Sequence, residues 1–437
     1  MKHDNLFLAW DPVSIPFSHP QGPSLAVASQ FVDRPGQVYY FLDFMRRTGI
    51  RLTVDLADCV SQLSGGLGLE AGALPLNLPS QSLWQSFCIG PHSLTPAGTD
   101  LFLVGLRASN RFISLDLGRK SASLLDPEVN DDFLSSSNWI VGKSGEVWFA
   151  SWNLEDSVRR IEQPTATVKV RIWRYCPIQQ VTRQVWKGEG GDFLHQLNVS
   201  DDGRFLVLCE MGMRPYAAVP PGHPGQYPAE WTAFLKQGVI PSDTIVVDLK
   251  HDRQWRLPLP VPTAAHVEFD PCRPHRCYVS CHNIGLVGSS NTLFGPGGLY
   301  CFELHPDGPR AVGAYSATDF YRITTHHVFR HQGRTLIGVT GFPDSIFLID
   351  AETMTLVRKI KLFDGEPVDT KERPHFCKQE PRSPYSLHAT ADGNDMYVVG
   401  SGVLFVLDVA SGAMKQLPWM FYREPDKEVI TGHVTSY

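Results

Sequence analysis

The sequence predicts an all-β fold, a seven-bladed β-propeller whose ring is closed by the C-terminal strand. Three observations predict it. Short apolar strands alternate with Gly- and Asp-rich turns along the chain, a pace typical of sandwiches, barrels and propellers. A four-strand unit recurs, and the same distance separates His266 from His327 and His327 from His388. The chain ends on TGHVTSY, which has the pattern of the first strand of that unit with nothing after it.

The repeating unit begins with a short apolar strand that carries a histidine. A turn with Gly or Asp leads to a strong second strand, and the third strand ends on Asp-Leu or a close relative. The clearest copy is LHQLNVSDDGRFLVLCEMG, and a histidine-free copy begins at SNWIVGKSGEVWFASW. Sheets of four strands repeated at this spacing are typical of propeller blades. The other copies start within 91–105, 266–283, 326–341 and 387–402.

The two ends of the chain each supply part of one blade. The N-terminal region offers SLAVASQF, QVYYFLDF and RLTVDL, three strands without an innermost partner. The segment TGHVTSY can provide that partner and cover a sheet edge that would otherwise be exposed. We therefore predict seven blades in a single domain over 1–437.

Composition indicates which kinds of partner and which cellular compartment to expect. The net charge is −6 and no long basic run is present, which argues against a nucleic-acid partner. No stretch approaches the roughly 20 apolar residues of a membrane helix, and the N-terminus lacks the apolar region of a secretory signal. Nine cysteines, mostly single within apolar runs, predict a cytoplasmic protein with reduced thiols. Cys277 and Cys281 flank the strong strand CYVSC and lie on one face of it, so they are expected to be buried structural thiols and not zinc ligands.

Histidines near the start of the predicted innermost strands are the candidate metal ligands. Innermost strands line the channel of a propeller, and every second side chain of a strand points to the same side. Imidazoles from several blades can therefore converge on the axis, which suits a transition metal. The alternative is a structural histidine that ties a strand to its loop. The predicted ligands are His195, His266, His327, His388 and His433, and His92 occupies the corresponding place in its own repeat.

Iron is the metal that we expect, with copper or zinc as alternatives. The tandem pair His326-His327 places one imidazole toward the channel whichever way its strand is phased. Glu268 shares a face with His266, so it is predicted as the catalytic residue, either as a ligand or as an acceptor for an imidazole N–H. The alternative for Glu268 is a carboxylate at the channel rim.

Long insertions indicate where a ligand enters. A Pro-rich loop and short amphipathic helix at about 212–241 are a candidate lid, and 283–298 is a second insertion. Their aromatic residues suit an apolar or aromatic small molecule. An interface with another subunit is the alternative, and the oligomeric state stays open. The predicted substrate-binding residues are Tyr227, Trp231, Phe234 and Phe294.

The turns SDDGR and ADGND, with strands such as RFLVL, resemble those of the YVTN and lactonase-like group of seven-bladed propellers. The axial histidines resemble the arrangement of carotenoid cleavage oxygenases, in which four histidines from different blades hold iron. Both resemblances are architectural. The first implies the fold, and the second makes redox chemistry an expectation.

Three functions are consistent with the sequence. The first is a metal-dependent enzyme, an oxidoreductase or oxygenase, that acts on a small organic substrate at a histidine-bound metal on the propeller axis. The second is a metal-independent lyase, hydrolase or cyclising enzyme with channel histidines as general acid and base. The third is a non-catalytic binding or scaffold propeller. We favour the first, and metal analysis of the purified protein separates it from the others.

Overall fold

The computed structural model describes the strands and most turns of the chain. The predicted lid at 212–241 and the predicted substrate-binding residues Tyr227, Trp231, Phe234 and Phe294 lie outside the described residues. The described residues are 6–16, 24–31, 34, 36–56, 91–106, 111–125, 127, 133–135, 141–143, 145–153, 156, 166–190, 194–210, 243–261, 263–287, 290–293, 296–320, 323, 325–341, 344–362, 384–400, 403–420, 428–430 and 433–437.

The strands, in chain order, are β1 (Phe7–Ser14), β2 (Ser24–Phe31), β3 (Gly36–Asp43), β4 (Thr48–Asp55), β5 (Pro91–Pro96), β6 (Leu101–Leu106), β7 (Phe112–Asp116), β8 (Ser121–Leu125), β9 (Phe133–Ser135), β10 (Val141–Lys143), β11 (Glu146–Asn153), β12 (Val168–Cys176), β13 (Val181–Gly190), β14 (Leu194–Val199), β15 (Phe205–Glu210), β16 (Asp243–Asp248), β17 (Arg253–Pro258), β18 (Ala264–Asp270), β19 (Arg273–Cys281), β20 (Ile284–Val287), β21 (Ser290–Leu293), β22 (Gly298–His305), β23 (Gly308–Tyr315), β24 (His326–His331), β25 (Arg334–Gly341), β26 (Ser345–Asp350), β27 (Thr355–Lys361), β28 (Pro384–Ala389), β29 (Asp395–Gly400), β30 (Val403–Asp408), β31 (Met414–Met420), β32 (Glu428–Ile430) and β33 (Thr435–Ser436).

These described strands form seven main antiparallel sheets, one for each predicted blade. Blade 1 contains β1–β4 with β32 and β33, blade 2 contains β5–β8, and blade 3 contains β9–β13. Blade 4 contains β14–β17, blade 6 contains β24–β27, and blade 7 contains β28–β31. Blade 5 is β18, β19, β22 and β23, and the hairpin β20–β21 lies between its second and third strands. The fold is a seven-bladed β-propeller.

The first strands of the blades form the centre of the ring. Contacts join β14 to β18, β18 to β24, and β24 to β28, and others join β10 of blade 3 to β5 and to β14. The last strands β23 and β27 instead consist almost entirely of exposed or half-buried residues. The histidine-bearing first strands are therefore the innermost strands, as the sequence predicts.

The hydrophobic core lies between neighbouring blades. One cluster joins Val207 of blade 4 to Val279 of blade 5, and another joins Ile346 of blade 6 to Val398 of blade 7. The cluster between blades 7 and 1 includes a stacked pair, Phe44 and Tyr397, with ring centroids 5.0 Å apart. This cluster joins the last full blade to the first. The ring is therefore closed by apolar packing in addition to strand pairing.

The C-terminal segment pairs with β2, which confirms the predicted closure. The segment does so in two short pieces: β32 pairs with β2 at residues 29–31, and β33 pairs at Leu25 and Ala26. His433 lies between the two pieces. Val434 is buried in the core between blades 7 and 1, and its N–H donates to Ser386 Oγ at 2.9 Å.

Blade 1 also contains an outer strand that the sequence pattern does not reveal. The sequence predicts three N-terminal strands, whereas the structure adds β1, which pairs with β4 along one side only. Its Pro12 is exposed and cannot donate to a further strand. Proline within an apolar run argues against a central strand but is compatible with an edge.

Aspartates explain why the third strands end as they do. The Asp248 carboxylate at the end of β16 accepts hydrogen bonds from the N–H groups of Lys250 and His251 and pairs with Arg204 at 2.8 Å. Asp350 at the end of β26 accepts from the next turn in the same way and pairs with Arg334. Such side-chain bonds satisfy the turn between the third and fourth strands.

Two glycines in the turns between first and second strands form a matched pair. Gly203 and Gly393 have φ angles of 70° and 68°. A Cβ added at Gly203 would meet nothing within 4 Å, whereas one at Gly393 would lie 1.7 Å from the carbonyl oxygen of Arg330.

We expect Gly203→Ala to lower the free energy of unfolding by about 1–2 kcal/mol, the cost of the left-handed conformation. Gly393→Ala should lower it by clearly more because the backbone must also move. Urea unfolding of both variants measures the difference, and equal losses would contradict it.

The described cysteines agree with the thiol prediction. Cys277 and Cys281 are buried in the core between blades 4 and 5, Cys272 is exposed, and all three are free. Burial raises the pKa of the Cys277 thiol well above its usual value and keeps it neutral. These thiols pack as small apolar side chains.

No helix in the described part of the chain has the length and apolarity that crossing a membrane requires.

Candidate metal centre

Three histidines meet at the centre of the ring. His195 lies on β14 of blade 4, His266 lies on β18 of blade 5, and His433 lies in the C-terminal segment that closes blade 1. One possible ligand atom from each ring lies within 4.8 Å of the others. All three side chains are buried, with exposed fractions of 8%, 2% and 4% in that order. We call His195, His266 and His433 the histidine triad.

His266 is the central member of the triad. Its Nε2 lies 3.3 Å from Nε2 of His433, and its ring centroid lies 4.9 Å from those of both His195 and His433. Two nitrogen ligands at about 2.0–2.1 Å from a tetrahedral ion are themselves roughly 3.3 Å apart. The His266–His433 separation therefore fits two ligands of one ion.

Hydrogen bonds from side chains of β14 to the backbone of β18 hold two strands of the triad together. Gln196, next to His195, accepts the N–H of Val267 at 2.7 Å through its Oε1. Asn198 donates its side-chain N–H to the carbonyl of the same Val267 at 3.1 Å. The strand pairing also shifts register at His195 in β14 and just before His266 in β18. Such bulges turn side chains away from the regular strand direction and are common beside functional sites.

The surroundings keep His266 neutral. Burial lowers its pKa well below the usual value, and the nearby imidazoles of His195, His433, His282 and His326 lower it further. Metal ligation requires a neutral imidazole, so no proton has to be removed from His266 near pH 7.

Two further imidazoles lie beside His266. The ring centroids of His282 and His326 are 5.7 Å and 6.5 Å from its own. Nδ1 of His326 lies 3.2 Å from the Ser280 hydroxyl, and its buried Nε2 has no hydrogen-bond partner among the described residues. Burial also lowers the pKa of His326. The sequence gives little indication of His282, because it follows a second strand, whereas the repeating histidines stand on first strands.

The other predicted ligands form a second group on the channel. His327 and His388 stack with ring centroids 4.2 Å apart, and Nδ1 of His327 lies 3.3 Å from Oε2 of Glu268. Ser436 Oγ lies 3.2 Å from Nε2 of His388. His327 and His388 thus lie beside Glu268 and not within the triad. We call Glu268, His327 and His388 the Glu–His group. The side chain of His92 lies outside the described residues.

Charge and burial act in opposite directions on Glu268. Burial alone would raise its pKa, but the charge and hydrogen bond of His327 and the N–H of Val328 lower it overall. The carboxylate therefore stays ionised near neutral pH. Burial first, and then the nearby His327, lowers the pKa of His388 to about 3, so its ring stays neutral.

The buried neutral histidines predict a pH-dependent stability. In the unfolded chain they titrate near pH 6.5, whereas in the folded protein His266 and His388 titrate well below it. The unfolded state binds more protons below pH 6.5, so the free energy of unfolding of the metal-free protein should fall as the pH falls toward 5. Each histidine contributes a slope of at most about 1.4 kcal/mol per pH unit. Urea unfolding between pH 7.5 and 5, roughly one unit either side of that pKa, should show a shallower slope for His388→Gln. An unchanged slope would contradict the burial effect.

No family model matches the sequence, and no curated protein matches it either. Solved structures share its architecture. A protein of unknown function from Desulfotomaculum acetoxidans is 7% identical with a TM-score of 0.51, covering 95% of this chain and 99% of its own. A proposed 6-phosphogluconolactonase from Bacteroides fragilis is 10% identical with a TM-score of 0.50, covering 96% of this chain and 99% of its own.

This chain shares its β-propeller fold with these solved structures. The fold that the resemblance in the turns implies is therefore confirmed. A third structure, the dihydro-heme d1 dehydrogenase NirN in complex with DHE, is 11% identical with a TM-score of 0.49, covering 98% of this chain and 77% of its own. At these identities the matches establish the fold alone, and function has to be argued from the residues in the channel.

Proposed function

We propose that the protein is a metal-dependent enzyme, an oxidoreductase or oxygenase, that acts on a small organic, apolar or aromatic molecule at an ion held by the histidine triad. One observation carries this proposal: buried imidazoles from two blades and from the closing segment converge with ligand atoms within 4.8 Å. Nε2 of His266 lies 3.3 Å from Nε2 of His433, a separation that fits two ligands of one ion.

Three protein ligands also suit catalysis better than a purely structural ion. Structural zinc sites are closed by four protein ligands, whereas catalytic sites leave a position for water or substrate. The triad supplies only nitrogen, which suits iron, copper and zinc. We favour iron because an ion with open positions beside nitrogen ligands supports oxidation chemistry, and copper or zinc are the alternatives.

Elemental analysis of protein purified without chelators tests this proposal. We expect about one transition-metal ion per chain, in line with a single three-nitrogen centre. Substitution with Co(II) should give visible absorption bands that change when a small aromatic phenol is added, since an open position binds it. A carefully prepared protein that takes up none of iron, copper, zinc or cobalt would overturn the proposal.

The Glu–His group favours a second candidate function. His327 is paired with a carboxylate at 3.3 Å, the arrangement of a general base and its orienting group. A metal-independent lyase, hydrolase or cyclising enzyme could use it. Activity that survives complete metal removal would favour this second function over the first.

We also propose that the enzyme works in the cytoplasm. The described cysteines are all free, and four of them, Cys209, Cys277, Cys281 and Cys301, are buried as thiols. Reduced thiols are usual in that compartment. Fractionation of cells that express a tagged chain tests this localisation.

A further inference from the structure

The Glu–His group lies at a different level of the channel from the triad. Glu268 follows His266 by two residues on β18, so it projects on the same side about 6.6 Å further along the strand. His327 on β24 and His388 on β28 come from the next two blades. The two groups therefore occupy successive levels of one channel.

Glu268 fixes the protonation of one nitrogen of His327. Its Oε2 accepts the N–H of Val328 at 2.7 Å and lies 3.3 Å from Nδ1 of His327. Because this oxygen already acts as the acceptor of a backbone N–H, we assign it as the acceptor for Nδ1 of His327 too, which then carries the proton. In the neutral ring, Nε2 of His327 is then left with a lone pair.

His388 supports the ring of His327 and uses both of its own nitrogens. Its Nδ1 lies 2.8 Å from the carbonyl oxygen of Ala389 and therefore donates to it. Its Nε2 accepts from the hydroxyl of Ser436 at 3.2 Å. The two rings stack at an angle of 26°. Within the described residues, Nε2 of His327 is the ring nitrogen of this group that no hydrogen bond engages.

We propose that His327 is a proton-transfer residue of the channel site and that Glu268 is its positioning residue. This inference rests on the proposed function for the location of the substrate at the triad. We infer an alcohol or phenol as the substrate class, because its O–H supplies the proton that the lone pair on Nε2 of His327 can take. The O–H bond of the substrate breaks, its proton goes to Nε2 of His327, and the electron pair stays on the oxygen. The imidazolium that forms is balanced by the Glu268 carboxylate, and the Nδ1 proton stays in place.

The first test measures the tautomer and needs no ligand. In protein labelled with ¹⁵N-histidine, His327 is assigned by comparison with His327→Phe, which keeps an aromatic ring against His388. We expect the Nδ1–H form in the wild type, retention of that form in Glu268→Gln, and a mixture dominated by Nε2–H in Glu268→Ala. The glutamine oxygen can still accept from Nδ1, whereas alanine cannot. A wild-type ring protonated on Nε2 would overturn the proposal.

The second test counts protons with 4-nitrophenol as the probe. The probe is added to metal-loaded protein at a pH where the free phenol is protonated, and calorimetry in two buffers of different ionisation heat gives the protons released. The wild type should release none, because His327 retains the proton. His327→Phe should release about one per bound phenol, as ligation to a metal displaces it. Equal release by both proteins, or no binding of the phenol to the wild type, would overturn the proposal.

Metal content separates this inference from the proposed function. His327→Phe and Glu268→Ala should both retain the full metal content of the wild type, because neither residue belongs to the triad. Loss of metal in His327→Phe would make His327 a ligand and overturn its proton-transfer role. A wild type that binds no metal would defeat the proposed function, while the tautomer measurement would still decide the role of Glu268.

Discussion

Replacing His266 by alanine is expected to lower the metal affinity of the protein by more than about 100-fold, since even residues that only support a ligand are worth 10–100-fold. His266 lies between the other two members of the triad, with ring centroids 4.9 Å from both. Removal of the His266 imidazole leaves only two triad imidazoles, His195 and His433, which then lack the ring that lies between them. Competition with a chelator of known affinity, followed by elemental analysis, measures the effect.

The matched control is His275→Ala. His275 is a partly exposed histidine of the same blade, it contacts Asp202 at 2.7 Å, and it lies on β19, one strand outward from the innermost strand. We expect its metal content to equal that of the wild type. The β-rich circular dichroism of both variants should also match the wild type, because ladders and apolar packing hold the blades. Retention of stoichiometric metal by His266→Ala would remove the triad as the metal centre.

Deletion of residues 429–437 should give a much less stable and poorly soluble protein. The deletion removes the buried Val434, worth about 1.5–3 kcal/mol. It also removes the ring of Tyr437, which contacts Phe41 and Phe102 at centroid distances of 5.8 Å and 5.2 Å and adds about 0.5–1.5 kcal/mol. The innermost edge of β2 is then exposed, and exposed edges promote aggregation. Thermal unfolding and light scattering measure both effects.

His433→Ala separates closure from ligation. This variant retains Val434, Tyr437 and the strand pairing, so without metal it should unfold close to the wild-type temperature, while its metal content should fall. The truncated chain should lose both stability and metal. An unchanged melting temperature after truncation would show that the packing between blades 7 and 1 closes the ring alone.

Much of the fold follows from local chemistry. The turns require particular residues, among them the Asp248 carboxylate and the positive-φ glycines Gly203 and Gly393. The boundaries of each blade can therefore be read from its own sequence. Alternation along the first strands then places His266 and Glu268 on one side. What local chemistry misses is β1, whose Pro12 is compatible with an edge strand but breaks the expected pattern.

The grouping of the histidines could not be predicted in the same way. His195 and His327 occupy similar places in their repeats, yet one lies in the triad and the other lies beside Glu268. The bulges at His195 and before His266 change the direction of those side chains, and no bulge occurs in β24. Such shifts depend on how neighbouring blades pack, which no single repeat encodes. His282 joins the surroundings of His266 from the end of a second strand for the same reason.

The position of His433 in the chain sets a time at which the site can form. His266 and His433 are 167 residues apart in sequence, and a ribosome needs roughly 10–30 s to add that many residues. During that interval blades 4 and 5 can fold and bring His195 and His266 together. The third ligand does not yet exist. A nascent chain therefore offers only two of the three triad imidazoles, and the complete triad has to wait until the closing segment leaves the ribosome and pairs with β2.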